Sequence, residues 1–161
     1  MYLNKVNLFL VISICLIFFF LTYNDVKSQE PKIISGIAKV VDGDTIKIGK
    51  NKIRLLGIDA PEKKQQCQKP WLSIFFLTFN KDYKCGEIST NKLKIKINNK
   101  LVMCKSNNKD RYNRFIAECF KDKININKWM ISNGYAVAYR KYSKKFISQE
   151  NLAKKEKLGI W

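Results

Sequence analysis

Two short stretches of the chain set acidic and guanidinium side chains at places where the backbone must turn. The first is Asp42-Gly43-Asp44-Thr45. The second begins ten residues after Asp44 and reads Arg54-Leu55-Leu56-Gly57-Ile58-Asp59-Ala60-Pro61-Glu62. Asp-Gly is a turn signal, and Asp44 by itself reads as an Asx-turn residue. The second stretch resists that simple account. Arg54 and Asp59 flank an apolar strand segment, and Glu62 follows a bend fixed by proline. A third charged loop, Asp110-Arg111-Tyr112-Asn113-Arg114, lies further along. The chain contains no histidine, which excludes a Ser-His-Asp triad, His-paired acid/base hydrolysis and His-ligated zinc or iron. If the chain is an enzyme, its chemistry rests on carboxylates, Arg, Lys, Tyr, Cys or a metal held by oxygen atoms.

The elements that position these residues are mostly strands. Residues 32–58 give three β-rich runs, around Ile33–Val40, Thr45–Ile48 and Ile53–Leu56, with Gly49-Lys50-Asn51 as a hairpin connection between the last two. Ala60-Pro61 breaks the pattern. Residues 61–85 read mostly as loop, interrupted by the apolar segment 71–79 (WLSIFFLTF), which is too short to span a membrane and is expected to be a buried packing segment, the alternative being contact with a partner or a membrane. A helix is expected from about Gly86 to Ile97, then strands at 101–105 and 115–120 joined by the polar loop 106–114. A helix over 126–133 has Asn125 as its N-cap and Gly134 at its C′ position. A final helix over 148–158 ends at Gly159. The fold class is therefore mainly β with helices (α+β): a five-stranded, OB-like Greek-key barrel with about three helices.

The chain has 161 residues, 46% of them apolar, enough for one domain with a core. Its 31 Lys+Arg against 13 Asp+Glu give a formal charge of +18, which attracts polyanions such as nucleic acid or anionic lipid headgroups. Residues 8–21 form an apolar run broken only by Ser13, preceded by Lys5. This reads as a signal peptide over residues 1–28, cleaved before Gln29, with residues 29–161 as the mature domain. The alternative is an uncleaved anchor over residues 8–23, giving membrane contact through the N-terminal segment. Export places the protein in a periplasm or outside the cell. Four cysteines then remain, Cys67, Cys85, Cys104 and Cys119, an even number that suggests two disulfides. Three pairings are open, and proximity and strand adjacency favour Cys67–Cys85 with Cys104–Cys119.

Taken in order, Val41-Asp42-Gly43-Asp44-Thr45, the Arg54–Glu62 stretch, Asp110-Arg111-Tyr112-Asn113-Arg114 and Gly134-Tyr135-Ala136-Val137-Ala138-Tyr139, with the tail from Ala153 to Trp161, resemble the signature stretches of staphylococcal-nuclease-like (thermonuclease) proteins. The resemblance covers roughly residues 33–161. It implies that Asp44, Asp59 and the backbone carbonyl of Ala60 bind Ca²⁺, whose preference is for hard oxygen donors, with Asp42 supporting them. It implies that Glu62 orients or activates water, and that Arg54 and Arg114 clamp the scissile phosphate with planar forks. Tyr112 and Tyr139 match aromatic positions around the nucleotide. Two departures stand out. Asn113 replaces a Gly, in a position Asn tolerates at φ > 0, and Ala60 replaces a Thr of which only the carbonyl is needed.

The expected function is a Ca²⁺-dependent endonuclease acting on DNA and RNA and leaving 3′-phosphate ends. The alternative on the same fold is a non-catalytic nucleic-acid-binding module; relatives that have lost cleavage lack part of the Arg/Asp/Glu set, and the whole set is present here. An envelope interaction protein using the 71–79 patch is a further alternative, against which the retained acidic residues argue. Nothing in the sequence points to an obligate protein partner, and a monomer is expected.

Overall fold

Alternating inward and outward residues build β1 (Lys32–Asp42), β2 (Thr45–Ile48) and β3 (Asn51–Leu55) as an antiparallel meander. Ile34, Ala38, Ile46, Ile48, Ile53 and Leu55 point inward from it and are buried. The computed structural model describes residues 12–15 and 30–161, and residues 12–15 are helical. The rest of the expected export segment, with its cleavage site before Gln29, lies outside the described residues. Among the described residues no helix is long and apolar enough to cross a membrane.

After β4 (Ile58–Asp59) come β5 (Cys67–Ile74) and β6 (Leu77–Tyr83), then helix α1 (Cys85–Ile97). β7 (Leu101–Lys109), β8 (Phe115–Lys121) and β9 (Ile124–Asn125) follow. The chain ends with α2 (Ile126–Ser132), β10 (Val137–Ala138) and α3 (Ile147–Lys155). β1 pairs with β7, β7 with β8, and β8 closes onto β3 in parallel, with Ile53 opposite Phe115 and Leu55 opposite Ala117. The circuit β1-β2-β3-β8-β7 is thus a closed five-stranded mixed barrel of the OB type. Closure leaves no free edge among these strands.

Helix α1 buries Cys85, Ser89, Leu93 and Ile97, one residue every four positions, as a single face against the barrel. In α2 the Asn125 side chain accepts a hydrogen bond from the Lys128 amide (2.9 Å), the capping expected of that residue. Gly134 and Gly159 cross backbone to backbone. A Cβ at Gly159 would lie 2.1 Å from the Gly134 carbonyl oxygen, so this junction of α2 and the tail admits no side chain. The last helix stops at Lys155, three residues earlier than expected, because Lys157 turns left-handed (φ 52°) and the Leu158 amide returns to the Ala153 carbonyl. The core lies wholly within Pro31–Trp161, a compact unit of its own. Both disulfides close inside it: Cys67–Cys85, and Cys104–Cys119 across directly paired residues of β7 and β8. Two disulfides suit an oxidising, extracytoplasmic compartment.

Two expectations about the connections are overturned. β7 continues to Lys109, so residues 106–109 of the expected 106–114 loop extend the strand and pair with β8. Residues 61–85 are not mostly loop, and 71–79 is not buried. The apolar segment folds back on itself as the β5–β6 hairpin, a separate two-stranded sheet. Trp71, Phe75 and Phe76 are 71%, 99% and 92% exposed. The physical reason is that the barrel strands and three helices already close the core, and the ribbon pairs its inner backbone groups strand to strand while its outer edges meet solvent.

Candidate active site

The β1–β2 turn and the end of β3 meet on the outer surface of the barrel. Thr45 stands opposite Arg54 in the β2–β3 register, and Ile53 and Leu55 point inward, so Arg54 faces out. Its guanidinium bridges two carboxylates: Nη1 donates to Asp44 Oδ2 (2.5 Å) and Nη2 to Asp59 Oδ1 (2.6 Å). Asp44 is held from the other side by the Thr45 hydroxyl (2.8 Å) and by the Ala60 amide (3.4 Å). Asp42 Oδ1 accepts from the Asp44 amide (3.2 Å), the Asx-type contact that shapes the turn. Gly43 is tightly enclosed. A Cβ there would lie 2.2 Å from Ser89 Oγ and 2.7 Å from the Ala60 Cβ, so glycine lets the turn pack against α1 and the Ala60 segment.

The electrostatics follow from this geometry. Burial pushes the Asp44 carboxyl up to about 6, against the pull of Arg54, with Asp42 adding to the rise. Burial also works against the charge on Arg54, but Asp44 and Asp59 outweigh it and hold the guanidinium protonated. One cation therefore does not fully compensate the buried carboxylate. Additional positive charge beside Asp44 and Asp59 would relieve it, and an all-oxygen donor set suits a hard divalent ion. Among the described residues no group of three or more His, Cys, Asp or Glu side chains is placed to hold a metal. An ion at this pair must complete its shell with carbonyl, water or phosphate oxygens.

Arg114 precedes β8 by one residue. Arg54 pairs with Ile116, and Arg114 lies two residues before Ile116 on the same side of that strand. Strand spacings then set the two arginine Cα atoms roughly 8 Å apart. Asp110 fixes Arg114: its Oδ2 accepts from Arg114 Nε (2.7 Å), while Oδ1 accepts from the Tyr112 and Arg114 amides (2.9 and 3.0 Å). Burial opposes the charge on Asp110, but these hydrogen bonds from Arg114 and Tyr112 prevail and hold its carboxyl below the ordinary value. Asn113 adopts φ 61°, the left-handed conformation expected at that position. The Tyr112 ring lies 5.4 Å from the Arg114 guanidinium and is largely exposed. Tyr139, whose backbone N–H donates a hydrogen bond to the Gly57 carbonyl, sets its ring 5.7 Å from the Arg54 guanidinium.

Asp42, Asp44, Arg54, Asp59, Ala60 and Tyr139 are thus in one place, and Arg114 lies just before β8, the strand beside β3, with the Tyr112 ring of the preceding turn against its guanidinium. Ala60 meets Asp44 through its N–H. Glu62 follows on the segment after β4 with an exposed side chain. That segment is fixed at its backbone. The Glu62 amide donates to Gln65 Oε1, the Gln65 amide donates back to the Glu62 carbonyl, and the Gly86 amide at the start of α1 reaches the Gln65 carbonyl. Gly86 is required because a Cβ there would fall 1.7 Å from the Glu62 carbonyl oxygen. The Cys67–Cys85 disulfide closes the same junction.

Two supporting residues escape a reading of the sequence. Asp110 sits inside a motif whose arginine and tyrosine stand out, and its spacing of four from Arg114 is the available signal. Asn127 carries no signal at all. It is fully buried, donates to the Leu56 and Ala117 carbonyls (2.9 and 3.1 Å) and accepts from the Cys119 amide (3.0 Å). These three bonds tie the end of β3 to β8, behind both arginines.

A closed five-stranded OB-type barrel with acidic and guanidinium groups on the β1–β2–β3 face defines the class of staphylococcal-nuclease-like folds. The sequence agrees with that assignment: residues 52–161 match the Staphylococcal nuclease homologue family, and the chain belongs to it. The matched span includes Arg54, Asp59, Glu62 and Arg114 and begins after Asp44. Among relatives, the chain is 34% identical over 141 residues to the succinoglycan biosynthesis protein ExoI of Rhizobium meliloti (strain 1021), covering 86% of this chain and 69% of that protein. It is 32% identical over 132 residues to an uncharacterized endonuclease of Escherichia coli, covering 78% and 74%. With endonuclease YncB of Bacillus subtilis (strain 168) it shares 29% over 150 residues, covering 84% and 64%.

Proposed function

We propose that this chain is a Ca²⁺-dependent endonuclease that hydrolyses DNA and RNA and leaves 3′-phosphate ends. The observation that supports this most is the single guanidinium of Arg54 shared between Asp44 and Asp59, with Arg114 just before β8, the strand beside β3. Family membership and relatives named endonucleases favour the same reading.

Asp44, Asp59 and the Ala60 carbonyl would hold Ca²⁺, which when bound would supply polarisation of a phosphate oxygen. A guanidinium has five N–H donors, and Asp44, Asp59 and the Ile58 carbonyl (3.5 Å) engage three of those of Arg54. The remaining donors are free to meet phosphate oxygens, with the fork already oriented. Arg114 approaches the same phosphate from β8 and stabilises charge growing on its oxygens in the pentacoordinate transition state. Glu62, exposed to solvent, orients a water for in-line attack on phosphorus and accepts its proton. The P–O5′ bond breaks, the phosphate stays on the 3′-oxygen of the upstream fragment, and the departing 5′-oxygen, hydrogen-bonded by Arg114, takes up a proton from solvent to leave as a 5′-hydroxyl. Tyr112 and Tyr139 offer faces on which bases stack without regard to sequence. The charge of +18 draws in the polyanion and makes binding weaken steeply with salt.

The test uses residues 29–161 and a single-stranded DNA labelled at one end, incubated with Ca²⁺ or with EGTA. Cleavage confined to the Ca²⁺ reaction, with 3′-phosphate product ends, is expected, together with a loss of orders of magnitude in Glu62→Gln. Equal cleavage in EGTA, or ends bearing 3′-hydroxyls, contradicts the assignment.

A further inference from the structure

The β5–β6 hairpin stands apart from the chemistry described above and makes an unusual surface. Residues 70–80 (PWLSIFFLTFN) contain no charged side chain, and the first charges met on either strand are Lys69 and Lys81. These two lysines are directly opposite each other in the register. The ribbon is also two-faced. Ile74–Leu77 and Leu72–Phe79 occupy one side, followed by the Lys69–Lys81 pair. Ser73–Thr78, Pro70–Asn80 and Gln68–Asp82 occupy the other. Trp71 is the extra residue at the register shift between Pro70 and Leu72.

The turn itself breaks the usual rule. Phe75 takes φ 52°, a conformation that favours Gly or Asn at a hairpin turn and penalises a bulky residue. Phenylalanines at the two most exposed positions of the hairpin serve no packing role in this fold, since Phe75 and Phe76 are 99% and 92% exposed.

We propose that this hairpin is a membrane-docking element that inserts its Phe75–Phe76 tip into an anionic lipid surface. The boundary between uncharged and charged residues crosses both strands at one level, as a planar interface requires. The one-sided stripe spans only the Ile74–Leu77 and Leu72–Phe79 pairs, and Phe75 and Phe76 lie beyond it at the tip, where end-on insertion covers them and face-to-face pairing with a second ribbon does not. The dimensions agree. From the turn to the Leu72–Phe79 pair is about 10 Å at strand rise, the depth to which interfacial elements bury their apolar parts. Trp71 then falls at the headgroup boundary, where indole rings concentrate. Lys69 and Lys81 fall among the headgroups, with exposed Lys63, Lys64 and Lys84 around the base. Single-stranded nucleic acid fits this surface less well. Base stacking sites alternate aromatic faces with cations that meet the phosphates, whereas residues 70–80 offer aliphatic Leu72, Ile74 and Leu77 and no cation. The docking proposal does not depend on the nuclease reading.

The test uses residues 29–161, which hold the whole core and both disulfides, so that the N-terminal apolar run does not contribute. Sedimentation with vesicles of mixed phosphatidylcholine and phosphatidylglycerol is compared with phosphatidylcholine alone, for wild type and Phe75→Ser/Phe76→Ser. Wild type is expected to partition to the anionic vesicles, with a blue shift of tryptophan fluorescence that Trp71→Phe abolishes. The double variant should partition about ten-fold less or worse, while cleaving soluble single-stranded DNA at the wild-type rate. Lack of binding by wild type overturns the proposal. So does equal binding by the double variant, which would make the contact one of surface lysines only. Self-association, or tighter DNA binding, that depends on Phe75 and Phe76 would overturn it in favour of a second copy or a nucleic acid.

Discussion

Replacing Asp110 with Asn separates what that residue does for the turn from what it does for Arg114. Oδ1 accepts the Tyr112 and Arg114 amides, and an asparagine carbonyl can continue to accept both. Oδ2 accepts from Arg114 Nε at 2.7 Å, and in the Asp110→Asn variant this position becomes an NH₂ facing another N–H donor. The bond is lost and the guanidinium released. The pair is mostly shielded, with side chains 20% and 15% exposed, so the lost charge-assisted hydrogen bond should cost about 1–2 kcal/mol of stability. Re-ordering a free arginine side chain for the transition state costs a further ~1.5–2 kcal/mol, which translates into a roughly 10–30-fold fall in kcat. KM should move much less. The assay is steady-state cleavage of single-stranded DNA alongside denaturant unfolding, with Arg114→Ala and the double variant completing a cycle. Because the folded pKa of Asp110 is lowered from 3.8, its stabilisation is present above that value and is lost as pH falls towards the folded pKa. Asp110→Asn should remove that part of the acid dependence. A variant with lowered stability but wild-type kcat, or one whose loss of turnover adds fully to that of Arg114→Ala, would refute the idea that Asp110 acts through Arg114.

Other substitutions probe the scaffold. Asn127→Ala leaves the buried Ala117 carbonyl, the part-buried Leu56 carbonyl and the buried Cys119 amide without their side-chain partner, and urea unfolding should show a loss of about 2–3 kcal/mol; a change under ~0.5 kcal/mol would mean that water replaces the side chain. Gly43→Ala forces a methyl group against Ser89, which is itself committed to the Tyr135 carbonyl at 2.7 Å, so stability should fall by about 1–3 kcal/mol and Ca²⁺ affinity with it. Glu150 is buried. Burial raises its pKa, but hydrogen bonds from Arg140 and the Ala138 amide and the charge of Lys154 prevail and lower it. Its stabilisation is therefore present above about pH 4.5 and lost below, and Glu150→Gln should lower the melting temperature at neutral pH while flattening its fall in acid. Removing Cys67 and Cys85 together opens an 18-residue separation, worth about 3 kcal/mol by chain entropy; thermal unfolding of the double serine variant measures it.

How far the fold can be read in advance depends on whether local pattern or tertiary competition decides each element. The five barrel strands are legible because Ile34, Ile46, Ile53, Val102 and Ala117 mark inward positions at strand spacing. Asn125 and Gly134 announce the ends of α2 by their own chemistry. The apolar run 71–79 departs from its expected burial because hydrophobicity reports a preference for leaving water and says nothing about which surface receives it. The early stop of α3 comes from a left-handed Lys157, a residue type that carries no signal for that conformation. In the site, the aspartates, arginines and tyrosines are legible as ordered motifs. Asn127 is not, since one asparagine in an apolar helix looks like any other until three backbone groups are seen to converge on it.

The central claim is that Asp44, Arg54 and Asp59 work as one phosphate-cleaving site, and Asp59→Asn tests it most directly. The Asp59 side chain is 49% exposed, so its replacement should change unfolding little. Single-stranded DNA turnover at saturating Ca²⁺ should nevertheless fall at least ~100-fold. A folded Asp59→Asn variant that cleaves at the wild-type rate would contradict the account.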